Sequence, residues 1–128
     1  MTDEQINIAI AESLGWHSKS GANGGVKWVD KDGIGRNGGG LYGYGYNDEL
    51  KLSHLPDYTS DLNVCHEFEL EVIYSNDRLP KKYTQQIKSA ICREVGVKKA
   101  QMDFDLCITA TARQRCEAYL KTIGKWIE

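Results

Sequence analysis

Gly33-Ile-Gly-Arg-Asn-Gly-Gly-Gly-Leu-Tyr-Gly-Tyr-Gly-Tyr46 is the stretch on which the fold class turns. Gly33, Gly35 and Gly38 have the spacing of a dinucleotide-binding turn. Such a turn follows a strand and opens a helix whose N-terminus holds the pyrophosphate. The residues after Gly38 are Gly-Gly-Leu-Tyr-Gly-Tyr-Gly-Tyr, and each glycine costs a helix ~1 kcal/mol relative to alanine. No acidic residue stands where a βαβ unit needs one, and no Gly-Lys-Ser/Thr follows as in a phosphate-binding loop. Nucleotide binding by this motif is rejected. The stretch reads instead as part of a β-hairpin over residues 26–46. Val26-Lys-Trp-Val-Asp30 is the first strand, Lys31-Asp-Gly33 carries a turn signal, and Leu41 to Tyr46 form the second strand.

Alternation along that second strand puts Tyr42, Tyr44 and Tyr46 on one face and leaves Gly43 and Gly45 on the other. Two readings stay open. Either the tyrosines pack on a helix, or they are exposed and contact a partner, since tyrosine offers rigid area with a polar tip. In the second reading Arg36, near the loop tip, joins them.

Outward from the hairpin the pattern is helical. Thr2 with Gln5 is a capping box for a helix to Leu14, with Ile6, Ala9, Ile10 and Leu14 as its apolar stripe and Gly15 as its stop. Ser18 to Gly25 reads as a polar connection. Pro56 breaks the chain before a helix to about Ile73, for which Asp57, Thr59 and Ser60 are candidate caps. Leu62, Cys65, Phe68, Glu69 and Val72 have helical spacing there. Pro80 is expected to begin the next helix, with Tyr83, Ile87, Ala90, Ile91 and Val95 inward and Gly96 closing it. Phe104 to Ile108 alternates as a half-buried strand. Thr109 or Thr111 caps a last helix, with Thr111 and Gln114 as a second capping box. Ala112, Cys116, Tyr119, Leu120 and Ile123 face inward, Gly124 ends the helix, and Trp126 and Ile127 dock on the body. Four helices and about three strands predict an α+β fold: a small antiparallel or mixed sheet covered by about four helices.

The 128 residues suit one domain, 1–128. A hydrophobic share of 41% and a net charge of −2 fit a soluble globular protein and argue against a general nucleic-acid binder. No run approaches the ~20 apolar residues of a membrane helix, and no basic-then-apolar leader is present, so a cytoplasmic location is expected. Cys65, Cys92, Cys107 and Cys116 form no CxxC pair and read as reduced, mostly buried thiols.

Candidates for chemistry are few. His66-Glu67 begins an HExxH pattern, but position 70 is leucine. Glu67, Glu69 and Glu71 point in different directions around a helix. His17 and His54 lie in loops without a nucleophile at a suitable spacing. Asp103 and Asp105 share a strand face, an arrangement that can hold Mg²⁺ but more often faces solvent. No cofactor, metal or catalytic residue is assigned. Lys81, Lys82, Lys88, Arg93, Lys98 and Lys99 form a local basic region, either a solvated helix face or a surface for phosphates.

Two segments resemble a known family: Leu55-Pro-Asp-Tyr-Thr-Ser-Asp-Leu-Asn-Val-Cys-His-Glu-Phe-Glu69 and Thr109-Ala-Thr-Ala-Arg-Gln-Arg-Cys-Glu-Ala-Tyr-Leu-Lys-Thr-Ile-Gly-Lys-Trp126. With Ile6-x-x-Ala-Ile-Ala-Glu12 and Gly15-Trp16 they resemble the phage ABA sandwich domain family, small proteins of tailed phages and prophages. The resemblance implies an α/β/α-type sandwich and life in the cytoplasm of an infected bacterium. It carries no catalytic residues. The Gly/Tyr hairpin departs from the family pattern. The expectation is therefore a non-enzymatic phage accessory protein that binds a host protein, with inhibition of a defence system such as CRISPR as one version. Arg36, Tyr42, Tyr44 and Tyr46 are its expected contacts, and a homodimer through the hairpin is compatible with it. The alternative is a nucleic-acid-binding regulator that uses the basic 81–99 region.

Overall fold

The computed structural model describes residues 1–20, 26–31, 55–76, 78–96 and 109–128. Among them lie α1 (Asp3–Ser13), β1 (His17–Ser20), β2 (Val26–Val29), α2 (Leu62–Ile73), α3 (Arg78–Val95) and α4 (Ala112–Thr122). The described part is mostly helical with one two-stranded antiparallel sheet, an α+β composition. The chain divides into two compact units, Thr2–Asp57 and Tyr58–Glu128, Met1 belonging with the second.

In the first unit the expected capping box is present. Gln5 N–H donates to Thr2 Oγ1 at 3.2 Å, and Thr2 N–H donates to Gln5 Oε1 at 2.9 Å. These bonds satisfy two of the four donors that a helix start leaves free. Ile6, Ile10 and Ala11 are the buried face. The helix stops at Gly15, whose φ of +90° suits glycine alone. Trp16 N–H then returns to Ala11 O at 2.9 Å. A Cβ on Gly15 would lie 2.9 Å from Lys31 Cβ, so close approach adds to the conformational reason for glycine.

The sheet corrects two expectations, the first being His17, which lies not in a loop but at the start of β1. Ser18 to Ser20 is not a connection but part of β1, paired antiparallel with β2 in the register His17↔Val29 to Ser20↔Val26. His-Ser-Lys-Ser has no apolar alternation to announce a strand. Backbone pairing to β2, where Trp28 and Val29 are buried, supplies it. Strand Val26–Val29 stands where expected, while the rest of the 26–46 hairpin beyond Lys31 lies outside the described residues.

In the second unit, α2 is capped by Asp61 rather than by Asp57, Thr59 or Ser60. Its carboxylate accepts from Asn63 N–H at 2.8 Å. Asp57 instead accepts a bond from Asn7 Nδ2 within the first unit. Helix α3 starts two residues before Pro80. Asn76 Oδ1 accepts from the N–H groups of Arg78 and Leu79 at 3.0 and 3.2 Å, so the cap is a side chain. Pro80 falls inside the first turn, where no intrahelical N–H bond is lost. Tyr83, Ile87, Ala90 and Ile91 are buried as their spacing requires, and Gly96 closes the helix at φ +66°.

Helix α4 starts from the second capping box, Thr111 with Gln114, and ends at Gly124, φ +75°. Ala112, Cys116, Tyr119 and Leu120 are buried. The Phe68 ring stacks on Tyr119 at 4.6 Å and meets Tyr58 at 6.0 Å, making an aromatic centre between α2 and α4. Trp126 is half-buried, with Lys121 Nζ 5.5 Å from its ring centre. Ile127 was expected to dock, but it is exposed. The strand expected at 104–108 lies outside the described residues.

Candidate interaction surface

Two buried glutamates organise the second unit. Glu69 of α2 accepts from Tyr83 Oη and from Arg115 Nη1, both at 2.7 Å, which joins α2, α3 and α4 at one carboxylate. Arg115 also donates through Nε to Ala110 O at 3.1 Å. His66 Nδ1 lies 3.4 Å from the other Glu69 oxygen, and its side chain is largely in solvent. Burial, then the neighbouring Glu69, pushes the Tyr83 hydroxyl well above the usual phenol range. It therefore stays protonated as a donor. Tyr58 behaves alike, raised by burial and then by Glu67, whose carboxylate accepts its hydroxyl at 3.2 Å.

Glu117 of α4 is the second centre. Arg93 Nη2 lies 2.7 Å from both of its oxygens, and Lys121 Nζ 2.6 Å from Oε1. Burial alone would raise its carboxyl, but hydrogen bonds from Lys121 and Arg93 outweigh that and hold it below the usual carboxylate range. Nearby, Gln114 Nε2 donates to Glu94 Oε2 and Lys82 Nζ to Thr122 O. These groups fasten helices together. They place no nucleophile beside a base.

The outward faces differ in kind. Helix α2 buries Cys65, Phe68, Glu69 and Val72, yet Leu62, Leu70 and Ile73 are half exposed or more and Tyr74, its C-cap, is 82% exposed. At 3.6 residues per turn these four, with the polar His66 and Asn63, occupy one arc of roughly 120°. A helix apolar on its outward arc as well as its inward one is unusual for a solvated face. Helix α3 has the opposite surface. Residues 78–93 contain Arg78, Lys81, Lys82, Lys88 and Arg93 and no acidic residue.

The sequence-derived candidates divide accordingly. Lys81 is exposed and Lys88 partly so, seven residues apart on one side of α3. Lys82 and Arg93 also reach solvent, but their charged ends are bonded to Thr122 and Glu117 on α4. Arg36, Tyr42, Tyr44, Tyr46, His54, Lys98, Lys99, Asp103, Asp105 and Cys107 lie outside the described residues. Among the described residues no three or more His, Cys, Asp or Glu are placed to hold a metal ion, and no helix is long and apolar enough to cross a membrane. The Glu69 and Glu117 centres were not foreseen as sites. The available signal was Glu69 at an inward-facing position of α2, because a buried carboxylate requires a partner.

No family model, curated protein or solved structure matches the chain.

Proposed function

We propose that this protein is a non-enzymatic phage or prophage accessory protein that works in the host bacterial cytoplasm by binding a host protein. Blocking a defence system such as a CRISPR effector is one concrete version. The observation that supports a protein partner is the outward apolar arc Leu62, Leu70, Ile73 and Tyr74 on α2. Leu62, Leu70 and Ile73 are already about half covered, so completing their burial against a partner gains roughly half of the 1.5–3 kcal/mol that a full transfer is worth. The phage origin rests on the sequence motifs at residues 55–69 and 109–126, and the α/β/α sandwich belongs to the same proposal. Arg36, Tyr42, Tyr44 and Tyr46 belong to it on their sequence alone.

The test is capture from nuclease-treated bacterial lysate with the tagged protein and with a Leu70→Glu/Ile73→Glu variant of unchanged helicity and melting temperature. One stoichiometric host protein that the variant fails to retain is the expected result. A clean lane, or equal capture by both forms, defeats the reading.

A second reading is favoured by the run of five cations without an acid on α3: a regulator that binds nucleic acid. Neutralised phosphates release counterions, so its binding would weaken steeply with salt. Capture that disappears on nuclease treatment selects this reading, and Lys81→Glu/Lys88→Glu would then abolish it.

A further inference from the structure

Two thiols from different helices converge on one backbone oxygen. Cys65 Sγ of α2 donates to Tyr58 O at 3.3 Å, and Cys116 Sγ of α4 donates to the same oxygen at 3.1 Å. Two sulfurs held that close to one atom cannot be further apart than the sum of those two distances. A second contact narrows the arrangement. Cys65 Sγ also lies 4.0 Å from Ala112 O. Ala112 is four residues before Cys116, and helical side chains lean toward the N-terminal turn. Cys116 Sγ therefore leans over the same turn that Cys65 Sγ touches. The residues at this crossing are small: Cys65, Ala112 and Cys116, all buried. Small side chains allow two helix backbones to approach closely. Closure to a disulfide needs Cα atoms within about 4.4–6.8 Å.

We propose that Cys65 and Cys116 form a modification site: a dithiol that a small disulfide such as oxidised glutathione converts to a Cys65–Cys116 bridge. The step balances in two exchanges. One protein thiolate attacks the glutathione disulfide, forming a mixed disulfide and expelling one glutathione thiolate. The second protein thiolate then attacks the protein sulfur of that mixed disulfide, closing the bridge and expelling the second glutathione. The two protein thiols are oxidised by two electrons, one disulfide is reduced to two thiols, and the two protein protons pass to the leaving thiolates. Both sulfurs are fully buried, so the first exchange waits on a local opening of the structure. The second is intramolecular and fast. The bridge takes both S–H donors from Tyr58 O, so oxidation alters how the segment at Tyr58 is held.

The experiment uses the full chain carrying Cys92→Ser and Cys107→Ser, which leaves only the two proposed thiols. The protein is incubated folded with oxidised glutathione, quenched with an alkylating agent, and digested without reductant for mass spectrometry. A linked peptide pair joining positions 65 and 116, loss of both free thiols, and their return on reduction are expected. Stable glutathione adducts on one or both sulfurs, or two intact thiols while an unfolded control is consumed, would overturn the proposal. If the double-serine form does not fold, wild-type protein is mapped the same way. A 65–116 linkage from the folded protein again supports the site. Linkage of either residue only to Cys92 or Cys107, or linkage arising only in denaturant, again rejects it.

Discussion

Glu69 and Glu117 are two answers to one problem, a buried carboxylate in the unit that holds α2, α3 and α4. Both side chains are equally sheltered, but their cationic partners are not. Arg115, which serves Glu69, is 18% exposed, whereas Arg93, which serves Glu117, is 54% exposed. Glu69 also takes a buried hydroxyl from Tyr83, while Glu117 takes a second charge from Lys121. The first centre is sheltered on its Oε1 side, where Arg115 and Tyr83 meet, while His66 on the other oxygen reaches solvent. The second is open at its rim, where water can replace a lost partner. Ion-pair count therefore says little about worth. What the loss of one partner leaves behind says more.

The largest effect should come from breaking the more sheltered centre. Arg115→Met leaves the buried Glu69 carboxyl without its guanidinium partner, which costs about 3–5 kcal/mol by analogy with other half-removed pairs. Urea unfolding should show a lower midpoint. Adding Glu69→Leu should recover most of the loss, and a double variant as weak as the single one would contradict this account.

Arg93→Ala should cost far less, no more than about 1 kcal/mol, because the guanidinium is mostly in water and Lys121 still serves Glu117. Equal losses for Arg93→Ala and Arg115→Met would erase the distinction between the centres.

The smallest effect is a pH dependence. The folded carboxyl of Glu117 lies below its unfolded value, so its contribution is fully present above the unfolded value. It fades as pH falls through the folded one. Glu117→Gln should therefore flatten the acid side of the stability curve, leaving wild type and variant closer at low pH than at neutral pH. A gap that widens on acidification would reverse the sign of this argument.

How much of this was legible beforehand depends on the range of the interaction. Both capping boxes, the Gly15, Gly96 and Gly124 stops and the end of α2 near Ile73 are local patterns, readable within a few residues, whereas the cap of α2 at Asp61 was expected at Asp57, Thr59 or Ser60. The strand at His17–Ser20 was not, because its partner rather than its composition makes it a strand. Pro80 drew the start of α3 too far along, since Asn76 caps it from outside the helix. At the candidate surfaces, the cations of α3 were visible, but their division between solvent and α4 was not. Glu69 stood at an inward spacing, yet Arg115, 46 residues away, could be assigned to it only in three dimensions. Leu70, Ile73 and Tyr74 gave no warning of exposure, because an apolar side chain looks the same in sequence on either arc of a helix.

The rungs between α3 and α4 also carry a kinetic consequence. Glu94 meets Gln114, Arg93 meets Glu117 and Lys82 meets Thr122, with sequence separations of 20, 24 and 40. Closing a loop costs roughly 0.6 kcal/mol more for each doubling of its length. The antiparallel pair should thus fasten first at the Glu94 end and zip toward Lys82. Substitutions at Gln114 would then slow folding, whereas those at Lys82 would mainly hasten unfolding.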